Sequence, residues 1–180
     1  VQHGGPFTLA LLRFALAAAV FGALAVAARA GWPGWRAFRH SAVVGLLSLA
    51  LSFGGVYGGM HFGVSAGISA LFIGAMPLAT ALFASLAGER LGRAQWFGLA
   101  LGFLGVLLVL EGRFGIPGGG AVGYLCSLVG LVALSLGTLY QKRHSTAIDL
   151  RVGLAVQHAV AAAAILPLAW WGEHFRADGS

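Results

Sequence analysis

Residues 7–28 carry a single charged side chain, Arg13, in an otherwise uncharged run. Such runs recur at residues 41–59, 63–87, 94–110, 120–141 and 152–171, and none of these five contains Asp, Glu, Lys or Arg. A helix needs about 20 apolar residues to cross the hydrocarbon core of a bilayer. A transmembrane barrel strand needs only about ten, with alternating polarity. These runs are too long for strands and do not alternate. A helix satisfies its own backbone hydrogen bonds in lipid. The expected fold class is therefore all-α, a polytopic membrane helix bundle with six spans.

Composition closes the soluble alternative. Charged residues make up 9% of the chain and hydrophobic ones 59%, whereas a globular domain carries about 25% charge. The net charge of +6 does not point to nucleic acid, because the basic residues sit in short connections between apolar runs. Cys126 is the one cysteine, so no internal disulfide and no multi-cysteine metal site is available. Its apolar surroundings favour a packed, inert thiol.

The connections set an orientation. Arg29, Arg36 and Arg39 follow the first run, Arg90 and Arg93 the third, and Lys142, Arg143 and Arg151 the fifth. Those loops share one side. The other side has Arg113 and Arg176. Cytoplasmic loops are enriched in Lys and Arg, so the richer side is expected in the cytoplasm, with "GERLGR" (residues 88–93) as a tight turn there. Both chain ends then fall outside, and one further helix before Val1 is expected.

Several short motifs occur in order along the chain. They are Arg13-Phe14, Tyr57 and Phe62, Ser65-Ala66-Gly67, Pro77-Leu78, Gly88-Glu89-Arg90, Gln95, the ladder Gly98, Gly102 and Gly105, and "GTLYQKR" from Gly137 to Arg143. In this order and spacing the sequence resembles the EamA-type module of the drug/metabolite transporter superfamily. The resemblance implies a ten-helix, inverted-repeat fold of two five-helix halves. This chain would supply helices two to seven. Residues 1–115 would be the first repeat without its first helix, and residues 116–180 the first two helices of the second. The resemblance also implies a central cavity opened alternately to each side.

Individual residues carry two readings each. Arg13 lies within a span, where ionisable groups are costly and face protein or water; snorkelling to the interface is the other reading. His61 and His158 are near-membrane histidines that either titrate in function or are satisfied structurally. Tyr57 and Tyr140 line a polar path or anchor at the interface. With Ser65 and Thr80 these make up the expected substrate cavity. Pro77 removes a backbone hydrogen bond and bends its helix, as a gate or a static kink. Gly67, Gly98, Gly102 and Gly105 are expected to let helices pack closely. Gly88, Glu89 and Arg90 are expected to form a structural turn, with Glu89 as a cap.

All five acids lie outside the spans or at their ends. Proton coupling would have to use histidine, and sodium coupling through carbonyls at a broken helix stays open. No HExxH, GxSxG or P-loop pattern is present, so no enzyme activity and no cofactor is expected. The expected partners are the lipid bilayer and a small-molecule substrate, with no nucleic acid. The sequence does not set the oligomeric state. The leading expectation is a multi-pass permease of the bacterial inner membrane that exports small metabolites or drug-like solutes. The alternative is a structural or assembly membrane protein without transport.

Overall fold

The computed structural model describes residues 5–111, 120–144 and 148–177. His3, Arg113 and Asp178 lie outside the described residues, as do the side chains of Glu111, Trp171, Glu173, His174 and Arg176. Among the described residues every regular element is helical: α1 (Pro6–Ala27), α2 (Trp35–Val44), a π-helical segment (Gly45–Leu51), α3 (Ser52–His61), α4 (Ala66–Gly74), α5 (Met76–Leu86), α6 (Arg93–Glu111), α7 (Ala121–His144) and α8 (Leu150–Ala177). Five helical stretches among these residues are long and apolar enough to cross a membrane: Phe7–Ala27, Trp35–His61, Ala66–Leu86, Ala121–His144 and Leu150–Trp170. The chain is thus an all-α, multi-pass membrane protein. The remaining apolar run forms α6, a helix of 19 residues.

Helix ends follow local chemistry. Pro6 opens α1 at a position where its missing N–H costs nothing. Arg29, at φ 50, closes α1 in the left-handed region; its N–H donates to the Val26 carbonyl and that of Ala30 to Ala25, both at 2.9 Å. This paired bonding satisfies carbonyls that a helix end would otherwise orphan. Gly63 (φ 92) closes α3 and Gly88 (φ 91) closes α5 with the same pairing. Ser65 caps α4 by accepting from Ile68 N–H at 3.4 Å. Gln95 reaches back to the Gly92 N–H at 2.8 Å at the start of α6. Asp149 accepts from Arg151 N–H at 2.9 Å at the start of α8.

Three details differ from the sequence expectation. The second span starts at Trp35, not near Ser41, so Arg36 and Arg39 lie within helix rather than loop. The fifth runs on to His144, which puts Lys142 and Arg143 in the last turn of α7, where cations complement the helix dipole. In the third, the interruption expected at Pro77 falls at a single residue two positions earlier, Ala75.

The chain divides into two compact units, residues 1–50 with 140–180, and residues 51–139. In the first, α1 and α2 pack on α8. Its centre holds Phe14 and Ala161, both 0% exposed, and Ile165 at 1%. Gly45 lies against the backbone of Gln157, with no room for a side chain. Outward, α1 exposes Leu9, Leu12 and Leu16 at 60–67%. Large leucines so exposed on one stripe suit lipid, not water.

In the second unit α3 runs against α7 through glycine. A Cβ added to Gly55 would lie 2.6 Å from Gly130 N and 2.7 Å from the Cys126 carbonyl. One added to Gly59 would strike Ser127 Oγ and approach the Gly123 carbonyl at 2.9 Å. Ser127 directs its hydroxyl to the Gly123 carbonyl at 3.1 Å, so its polar group is satisfied within its own helix.

Candidate functional site

The third span is built to break. Pro77 has no N–H to give, and its ring clashes with the turn behind it. The chain responds by ending α4 at Gly74 and starting α5 at Met76, with Pro77 in the first turn of the new helix. Ala75 N–H is shared between the carbonyls of Leu71 (2.9 Å) and Phe72 (3.2 Å), and the Ala75 carbonyl accepts from Leu78 and Ala79 N–H, both at 3.0 Å. The bend is therefore hydrogen-bonded on both sides.

A partly open apolar groove of about 170 Å³ lies beside Ala75. Leu71 and Phe72 of α4, Ala75 at the break, and Leu78 and Ala79 of α5 form one wall. Phe103 and Val106 of α6 and Leu128 and Leu131 of α7 complete it. Every lining side chain is apolar. Leu78 is held in place by Gly102, where an added Cβ would lie 2.7 Å from a Leu78 methyl. Thr80, next to the lining residue Ala79, has a buried hydroxyl without a hydrogen-bond partner, as do Ser69 and Ser135 in the same unit.

The remaining expected site residues fall into separate settings. In the first unit, Arg13 is exposed and its guanidinium carbon stands 5.3 Å from the centre of the Phe14 ring. His158 stands on the other side of that contact network, 6.0 Å from Phe14 and 5.6 Å from Phe21 between ring centres. Its Nδ1–H donates to the Leu154 carbonyl at 2.8 Å, which fixes the tautomer and leaves Nε2 as the acceptor in the neutral ring. Arg13 and His158 thus share Phe14 as a neighbour.

Tyr140 joins a cluster that the sequence reading did not assemble. Its hydroxyl is 2.7 Å from His40 Nδ1. Its ring stacks on His144 with centres 4.3 Å apart, and His144 in turn stacks on His40 at 4.9 Å. The His144 Nδ1–H donates to the Tyr140 carbonyl at 3.2 Å. The four-residue spacing of Tyr140 and His144 on one helix was the available signal. His40 was read as loop, which hid its membership.

In the second unit Tyr57 is half-buried and stacks on Phe53 at 5.6 Å, one turn away. His61 is exposed at the end of α3, edge-on to Phe62 at 5.4 Å. Ser65 is the α4 cap described above. Gly88 forms the left-handed stop of α5, Glu89 is half-buried beyond it, and Arg90 is exposed. A Cβ added at Gly67, Gly98 or Gly105 meets nothing within 4 Å among the described residues. Among those residues no group of three or more His, Cys, Asp or Glu is placed to hold a metal ion. The groove residues were invisible in the sequence, because apolar side chains lining a groove read the same as those facing lipid.

Comparison with known proteins gives these features a context. The profile of the EamA-like transporter family matches residues 1–111. The chain is 28% identical over 153 residues to YedA of Escherichia coli K12, named as an uncharacterized inner membrane transporter. The same figures hold for YedA of Escherichia coli O6:H1 and of O157:H7. The alignment covers 85% of this chain and 49% of each relative, so the chain spans about half the length of the curated relatives it matches. No solved structure matches it. With the family profile matching more than half of its residues, the chain belongs to the EamA-like transporter family.

Proposed function

We propose that the chain is part of a permease of the bacterial inner membrane that carries small metabolites or drug-like solutes outward by alternating access. The family match over residues 1–111 carries this reading. The relatives named as inner membrane transporters support it. In the proposal, residues 1–115 belong to one repeat and 116–180 to the next, packed as inverted halves of a ten-helix protein. The side bearing Arg90, Arg93, Lys142 and Arg143 faces the cytoplasm. The span interrupted at Ala75, just before Pro77, is the moving part in this proposal. Coupling, where present, runs through histidine or through sodium held by carbonyls, because no Asp or Glu lies within the apolar runs. This chain performs no covalent chemistry in the proposal.

Arg13 tests it most directly. A permanent charge within an otherwise uncharged run is retained at a cost. If Arg13 serves the transport path, Arg13→Leu in the complete reading frame keeps expression and insertion but lowers initial flux by about tenfold or more. Arg13→Lys keeps the charge without the planar fork and retains part of the flux. Flux is measured per inserted molecule in proteoliposomes, across a panel of small solutes. Flux equal to empty vesicles for every solute with the unmodified protein would reject the permease reading. Normal flux in Arg13→Leu would remove Arg13 from the path and leave it as an interfacial anchor.

A further inference from the structure

We propose that the start of α2, where Arg36 and Arg39 stand beside Trp35, is a docking surface for the headgroup of an anionic phospholipid. This goes beyond the transport reading and does not depend on it.

Depth comes first. The helical stretch Trp35–His61 has 27 residues. At 1.5 Å per residue it is about 40 Å long, against about 30 Å of hydrocarbon. The surplus lies at headgroup level, and its first turns carry the residues suited to that level. Trp32 and Trp35 are 75% and 73% exposed, and indole side chains collect at the membrane interface. Trp35 stacks on Phe38, with ring centres 5.7 Å apart and planes inclined by 10°. The two rings make a flat apolar plate, one turn long, for the upper part of an acyl chain.

Charge selects the lipid. Arg36 and Arg39 are both exposed and, three residues apart, are neighbours on the helix surface. Like charges at that spacing repel, and an anion between them removes the repulsion. Residues 1–88 contain no Asp or Glu to supply it. In the same unit the one acid whose side chain is described is Asp149, which accepts from the Arg151 N–H at the start of its own helix. Arg29, exposed where α1 ends, adds a third cation on this side. Guanidinium forks pair with phosphate oxygens in bidentate fashion, and basic segments beside a span attract anionic lipid. A phosphodiester headgroup brings its charge to the depth at which these forks stand. A soluble anion would bring the charge but leave the Trp35–Phe38 plate uncovered. The turn at residues 88–93 is an internal control, since Arg90 and Arg93 there have Glu89 alongside them in sequence.

The test uses the complete protein in detergent, with phosphatidylglycerol and phosphatidylcholine of identical acyl chains as probes and native mass spectrometry as the readout. Phosphatidylglycerol should be retained about tenfold more strongly. Arg36→Gln combined with Arg39→Gln should remove that preference, and Arg90→Gln combined with Arg93→Gln should keep it. Should the first pair fail to insert, Arg36→Lys with Arg39→Lys decides. It keeps the charge without the planar fork and should still lower retention; unchanged retention there overturns the proposal. Equal retention of the two lipids overturns it too, as does a preference that survives the first glutamine pair. Equal loss in both glutamine pairs would reduce the effect to net charge and also rejects the site. Displacement of phosphatidylglycerol by glycerol phosphate would make this a site for soluble anions, against the proposal. Lipid preference without flux leaves this surface standing while the permease reading falls, and flux without lipid preference does the opposite.

Discussion

Two seams hold this molecule's units together internally, and they are made of different matter. In the first unit α1 meets α8 through side chains: Phe14 fully buried, its ring near that of His158, with Ala161 and Ile165 sealed beside it. In the second, α3 meets α7 largely through main chain, as Gly55 faces the backbone of Gly130 and Cys126 and Gly59 faces the Gly123 carbonyl and the Ser127 hydroxyl. Water drives the burial of phenylalanine in a soluble protein, but lipid tails are as apolar as the ring they would release. The first seam therefore gains mainly dispersion contact from its large residues. The second gains the same contact by bringing two backbones close. One seam is tolerant of reshaping, since side chains can shift rotamer. The other has little slack at Gly55, because the atoms in contact there are main chain.

Substitutions can break or sharpen this contrast. The largest effect is expected at Gly55→Leu. Its side chain would run into Gly130 and the Cys126 carbonyl, and separating the helices should cost about 3 kcal/mol. Reversible unfolding in detergent measures this; a cost under about 0.5 kcal/mol would show that the backbones are not in contact. Phe14→Ala comes next. It empties a site that is 0% exposed, yet should cost about 2 kcal/mol, less than the 3–5 kcal/mol usual for Phe→Ala in soluble cores, because lipid solvates the released ring. A cost above that of Gly55→Leu would invert the comparison. Gly98→Ala is the smallest and changes sign. Nothing stands within 4 Å of the added methyl, and alanine is the better helix former, so a gain of about 0.5–1 kcal/mol is expected in the same assay. Loss of stability there would mean that Gly98 faces a helix outside the described residues.

How far the sequence reveals these features depends on what kind of signal each one leaves. Long apolar runs marked the helices, because a span must be apolar over its whole length. Their ends were less legible. Trp35, Arg36, Phe38, Arg39 and His40 look like loop on a hydropathy scale, but these amphipathic residues continue a helix into the interface. Pro77 announced a bend, and the structure places the break two residues earlier, at Ala75, where the ring's clash is relieved. Pro167 within α8 and the π-helical turn at Gly45–Leu51 had no counterpart in the reading. Gly55 and Gly59 of the close seam were not among the expected packing glycines. Pairs at Gly54/Gly58 and Gly63/Gly67 have the same four-residue spacing as Gly55/Gly59, and in a chain with 29 glycines spacing alone does not choose among them. Of the site, the Tyr140 cluster needed a contact 100 residues away in sequence. The groove needed a third dimension.

The glycine seam has one more consequence. At each glycine the position of a missing Cβ is taken by a hydrogen on Cα. At Gly55 that direction leads to the Cys126 carbonyl, at Gly130 to the Ser52 carbonyl, and at Gly59 and Gly123 to each other's carbonyls. Cα–H groups facing carbonyls across a helix pair act as weak donors, each worth about 0.5–1 kcal/mol. Main-chain contacts of this kind thus join the two helices beside the Ser127 side chain at Gly59. Such a bond does not compete with lipid tails, which offer neither donor nor acceptor, so its strength is independent of the membrane's fatty-acid composition. Hydropathy profiles score side chains only, and this adhesion passes beneath them.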